Sequence, residues 1–147
     1  LWCPERDHLA RLRSSIDRHP RRWRRALNNQ TFRDVFFPAV KPSTGEDGVV
    51  DAFAERNKDT ALKKRPQGYD MEHRDIRLLR LRNFVVGKNI DDTLLCRDDA
   101  QEKVAEVLRG LEPFVTFLNS IVMPDPSLDN DDSSSEEGEG DDGEDED

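Results

Sequence analysis

Between Lys63 and His73 the chain gathers Lys63, Lys64, Arg65, Tyr69 and His73, four potential cations and a phenol on one short stretch. Such a set suits the docking of an anion, most simply a phosphate-bearing ligand. Arg65-Pro66-Gln67-Gly68 fits a four-residue turn with proline second and glycine fourth, which would hold these side chains on a fixed bend. Asp70 stands where it can cap a helix reaching about Arg80. Backbone donors at that helix start would help hold an anion, although the Asp70 carboxylate itself occupies and screens them. A plainer account competes: Pro66 and Gly68 set the turn, Tyr69 packs, and His73 satisfies a local hydrogen bond. Turn chemistry alone explains most of the motif.

A second set is an arginine-rich surface of Arg11, Arg13, Arg18, Arg21, Arg22, Arg24 and Arg25, continued by Arg74, Arg77 and Arg80. Arginine outnumbers lysine 17 to 6, which suits planar, bidentate contact with phosphate or carboxylate. Nucleic acid is the partner this points to. Trp23 lies among four of these arginines and could stack on a base, yet its i+4 partner Leu27 places it in a core instead. No recognised nucleic-acid motif accompanies the charge, so a solvated face is the bland alternative.

Other chemistry finds little support. His8, His19 and His73 show no metal-ligand spacing, and Cys3 with Cys96 forms neither a zinc pattern nor a disulfide framework. Cys3 and His8 can meet across one helical turn, but two ligands do not make a site. Phosphate-loop, dinucleotide and nucleophile-turn motifs do not occur, so no cofactor is implied. The two thiols read as reduced and intracellular.

The charge is divided along the chain. All 23 Lys and Arg lie at or before Arg109, while 13 of the 32 Asp and Glu lie at or after Asp125. Residues 1–124 therefore carry 23 cations against 19 anions, a net +4, and residues 125–147 carry −13. The second segment holds Leu128 as its one large apolar residue, so it cannot offset its ordering entropy and is expected to be disordered. A polyanion of this kind contacts basic proteins, or folds back on the arginine surface and competes with nucleic acid. Ser133 and Ser134 each have Glu three residues on, an acidic context for phosphorylation. No apolar run is long enough for a membrane span.

These residues must be positioned by helices. Leu9, Leu12 and Ile16 share one stripe of a helix running from about Pro4 to Arg18, and Pro20 opens a second to Leu27 with Trp23 and Leu27 on its apolar side. Thr31 with Asp34 resembles a capping arrangement for a short Phe32 to Phe37 helix. Pro38 to Asp59 reads as a loop around a short Val49 to Ala54 element. Phe84, Val85 and Val86 read as a strand ending at Gly87. Asp98 begins the longest helix, to about Val122, where Pro113 predicts a kink or a break near Gly110.

Leu62-Lys63-x-x-Pro66-x-Gly68-Tyr69-x-x-x-His73, followed by Leu78-Leu79-x-Leu81-Arg82-x-Phe84 and by Pro113-Phe114-Val115-x-x-Leu118-Asn119, resembles the C-terminal half of an uncharacterised family, domain of unknown function 2461. The acidic tail marks a eukaryotic-type member. In that family a Gly-Leu-Trp-x-Pro-Glu segment lies midway, so Leu1-Trp2-Cys3-Pro4-Glu5 implies that an N-terminal half is missing. The resemblance implies an α+β fold, here a mostly helical fragment with one or two short strands of an antiparallel sheet completed by that half. Residues 1–124 form part of one domain and 125–147 the tail. Two functions stay open: an interaction module for basic or nucleic-acid partners in nucleus or cytoplasm with an autoinhibitory tail, or an enzyme or small-anion binder sharing its site with the missing half. Neither reading fixes an oligomeric state.

Overall fold

Apolar residues at helical spacing organise most of the chain. The computed structural model describes residues 4–126. Its helices are α1 (Arg6–Arg18), α2 (Pro20–Leu27), α3 (Gln30–Phe36), α4 (Glu46–Arg56), α5 (Ile76–Leu79) and α6 (Ala100–Val122), with short 3-10 turns at Pro42–Thr44, Lys58–Thr60 and Asp92–Cys96. Pro20 suits the first position of α2, where a missing donor costs nothing and its φ is already helical. Asn29 starts α3, its side chain accepting the Phe32 N–H at 3.2 Å.

At 23 residues, α6 is the spine against which α1, α2 and α3 pack. Gly110 lets α3 approach closely: a β-carbon there would stand 2.6 Å from a Val35 methyl. Phe114 then stacks on Phe32 at 4.8 Å between ring centres and meets Phe53 edge-on at 5.5 Å. Leu12, Ile16, Trp23, Leu27, Val49, Leu78, Leu79 and Leu81 complete a single fully packed core. Trp23 is sealed inside it and donates its indole N–H to Ser15 Oγ at 3.1 Å.

The α+β expectation is overturned, because no strand or sheet occurs among the described residues. Phe84 to Val86 runs without strand pairing, and a side chain supplies what a neighbouring strand would. Asn57 at the end of α4 donates Nδ2–H to the Val85 carbonyl at 3.0 Å and accepts the Val85 N–H on Oδ1 at 2.9 Å. Its amide has the geometry of a peptide group, so it satisfies this backbone and leaves no ladder to form.

Five further expectations change. Pro38 to Asp59 is not chiefly a loop, since α4 occupies half of it. The turn lies one residue later than expected: Tyr69 N–H bonds to Pro66 O at 3.3 Å, and Gly68 takes the positive φ of +89° that its third position requires. Asp70 does not start a long helix. It accepts the Glu72 N–H in a local turn, and the helix is only the single turn α5. Pro113 sits inside α6, which runs on without the break expected near Gly110, and α3 is capped by Asn29 rather than by Thr31. The acidic segment from Ser127 on, with Ser133 and Ser134, lies outside the described residues.

Candidate functional site

The basic residues divide by what they already hold. Several arginines cap helix ends, where the last carbonyls have no partner within the helix. Arg13 Nε donates to Leu79 O at 2.9 Å at the end of α5, Arg11 Nη1 to Val122 O at 2.8 Å at the end of α6, and Arg56 Nη2 to Phe36 O at 2.6 Å at the end of α3. Positive charge at a helix C-terminus also complements the helix dipole. These guanidiniums serve the fold.

Arg24 is engaged just as firmly. It bonds Asp47 at 2.8 Å and the buried Asp75 carboxylate at 2.8 Å, while Arg74 reaches the other Asp75 oxygen at 3.1 Å. The hydrogen bond to Asp75, outweighing desolvation, raises the Arg24 pKa above its ordinary value. Arg77 pairs with Asp51 at 2.7 Å, and Arg80 holds the Leu62 and Lys63 carbonyls at 2.6 and 3.1 Å. Of the expected basic surface, Arg24, Arg74, Arg77 and Arg80 are thus bound internally.

Arg21, Arg22 and Arg25 are different. They are exposed and form no hydrogen bond or ion pair among the described residues, and Arg18 at the end of α1 shares that condition. On α2 they lie opposite the buried Trp23 and Leu27, and the helix contains no acidic residue to neutralise them. The Arg22 guanidinium lies over the Phe117 ring at 5.9 Å, a contact that leaves its N–H donors unoccupied. Trp23 has no accessible face, so base stacking on it is excluded.

The bend from Lys63 to His73 separates into two parts. Lys63 and Lys64 are exposed without ion pairs among the described residues, and Arg65 donates to the Tyr69 carbonyl at 3.3 Å. Tyr69 and His73 turn toward α1 instead. His73 Nδ1 accepts the Asp75 N–H at 3.0 Å, which places the ring proton on Nε2, where it donates to Asp17 Oδ1 at 2.7 Å. Burial pushes the Tyr69 phenol up from its ordinary pKa, with Asp17 adding to the shift and Arg13 and Arg18 opposing it. A carboxylate thus already fills the position an anion would take beside His73. Sequence spacing could not show this, because Asp17 is far away along the chain.

No group of metal-ligating side chains is found among the described residues, and no helix among them is long and apolar enough to cross a membrane. Open clefts occur in several places. One of about 540 Å³ includes Arg56 and Lys88, but both cations are tied to backbone carbonyls. Another, of about 280 Å³, lies between α1, α2 and α6 and holds Arg18, His19 and Arg22. Against known proteins, a family model described as conserved hypothetical protein (DUF2461) matches residues 1–117. No curated protein and no solved structure matches the chain.

Proposed function

The chain belongs to this family of conserved hypothetical proteins, and from that premise we propose that its domain is an interaction module that holds nucleic acid through Arg21, Arg22 and Arg25 of α2. The observation that carries the reading is that these guanidiniums stand exposed and unpaired among the described residues, whereas Arg11, Arg13, Arg24, Arg74, Arg77 and Arg80 of the expected surface are engaged. Arginine forks fit phosphate oxygens in pairs, and contacts to phosphate carry no sequence preference. The partner is therefore a polyanion read by charge.

The acidic segment regulates the contact. It lies beyond the matched residues and is taken as the mark of a eukaryotic-type member acting in nucleus or cytoplasm. Its −13 charge competes with nucleic acid for the same arginines at a high effective concentration set by its tether. Deleting residues 125–147 is expected to raise affinity for a short oligonucleotide, by a factor that shrinks as salt rises. Equal affinity of the two chains at low salt, measured by fluorescence anisotropy, would remove the competition.

A further inference from the structure

We propose that the groove between α1, α2 and α6 is the docking site of the chain's own acidic segment, and that phosphate on Ser133 and Ser134 tightens the contact. The inference rests on the polyanion-binding reading and names how that surface is regulated. Three observations support it.

The first is chemical. Arg18, His19 and Arg22 face this groove of about 280 Å³, together with Ser14 and Ser120, and no carboxylate lines it. Other clefts suit an anion less: one contains Glu55, another Asp59, and the one beside Arg56 and Lys88 has its cations bound to carbonyls. Arg18, His19 and Arg22 hold no hydrogen bond through their side chains among the described residues. A phosphate monoester, with two negative charges and three acceptor oxygens, fits this set of donors.

The second is positional. Ser120 and Ile121 of the last turn of α6 form one wall of the groove. Arg11, on the opposite wall, fixes that turn by its bond to Val122 O. The acidic segment therefore leaves the domain beside the cations it would meet. From Val122, an extended chain at about 3.5 Å per residue reaches roughly 38 Å by Ser133.

The third concerns balance of charge. The tail is the one strongly anionic part of the sequence, and the α1–α2 junction holds Arg18 and Arg22, two of the cations that the fold leaves unpaired among the described residues. A tethered partner meets them as an intramolecular event, so modest contacts suffice. Each phosphate adds roughly −1.5 to −2 charges.

The test uses the full chain with phosphoserine installed at Ser133 and Ser134 during synthesis, compared with the unmodified chain by two-dimensional NMR. Modification should shift the backbone amides of Ser14, Arg18, His19, Arg22 and Ser120, independently of protein concentration. The Arg18→Gln/Arg22→Gln chain should lose these shifts, and the Lys63→Gln/Lys64→Gln chain should keep them. Unmoved groove amides would overturn the proposal, as would shifts that survive Arg18→Gln/Arg22→Gln, vanish with Lys63→Gln/Lys64→Gln, or appear only as concentration rises. Oligonucleotide affinity measured on the same samples separates the two claims. Binding that depends on Arg21, Arg22 and Arg25 with unmoved groove amides keeps the function and discards the docking; groove shifts in a chain that ignores oligonucleotides do the reverse.

Discussion

Truncating Asp75 would remove the buried carboxylate shared by Arg24 and Arg74, leaving Arg24 with Asp47 as its remaining ion partner and the half-exposed Arg74 without one. Asp75→Ala is therefore expected to destabilise by about 1.5–3 kcal/mol, the usual worth of a hydrogen bond to a charged group. Urea denaturation at neutral pH checks this. Tyr69 offers a milder, pH-dependent probe. Its folded-state pKa is raised, chiefly by burial, so its contribution to stability is complete below the unfolded value near pH 10 and is lost as pH rises through the folded value. Tyr69→Phe should flatten that alkaline loss in thermal melts from about pH 9 to about pH 11. At this scale the sequence disclosed residue types and not partners: Arg24 and Arg25 look alike on paper, and only long-range contacts with Asp47 and Asp75 tell them apart.

Among the elements, the extended run Phe84 to Val86 and the helix α6 depend on single residues elsewhere. Asn57→Ala removes both bonds to Val85 and the one to the Phe53 carbonyl. With buried groups orphaned at roughly 1–3 kcal/mol each, a loss of about 2–4 kcal/mol is expected, with faster hydrogen exchange at the Val85 amide. Gly110→Ala tests α6. Alanine is the better helix former by about 1 kcal/mol, yet its methyl would stand 2.6 Å from a Val35 methyl carbon and 3.0 Å from Val35 Cβ. Overpacking of this kind costs about 1–3 kcal/mol, so the variant should be less stable by denaturant titration; greater stability would mean that α3 yields freely.

The same elements show what could be read in advance. α1 and α2 were legible because each carries its own apolar stripe, and Pro20 opens α2. The short Val49 to Ala54 element was seen without its extent, since Gly48 and the surrounding acidic residues hide the helical period of α4. Phe84 to Val86 reads as a strand by residue type. A strand needs a partner, and the partner here is one asparagine side chain, which no local pattern announces. The break that Pro113 offered does not occur, because packing of Phe114 and Leu118 holds α6 together across it.

For the molecule as a whole, net charge and useful charge point opposite ways. The chain is −9 overall, which argues against nucleic acid at long range. The −13 segment supplies the negative excess, while residues 1–124 are +4, with Arg18, Arg21, Arg22 and Arg25 left unpaired at the end of α1 and on α2 among the described residues. Beyond a Debye length of about 8 Å at physiological salt the two parts act separately. Binding should therefore be weak in the intact chain at low salt, where the tail competes most strongly, and stronger once the tail is displaced or removed. The composition disclosed the two charged halves; which arginines the fold leaves free became visible only when its own carboxylates and carbonyls had been assigned to the rest.

The central claim, that α2 holds a polyanion through three free guanidiniums, is tested most directly by the salt dependence of oligonucleotide binding. The measurement compares the chain lacking residues 125–147 with the same chain carrying Arg21→Gln, Arg22→Gln and Arg25→Gln. Each phosphate contact contributes roughly 0.7–0.9 to the slope of log affinity against log salt, so the triple change should reduce the slope by roughly 2 to 3 and weaken binding at low salt. An unchanged slope and affinity would place the contact elsewhere and contradict the account.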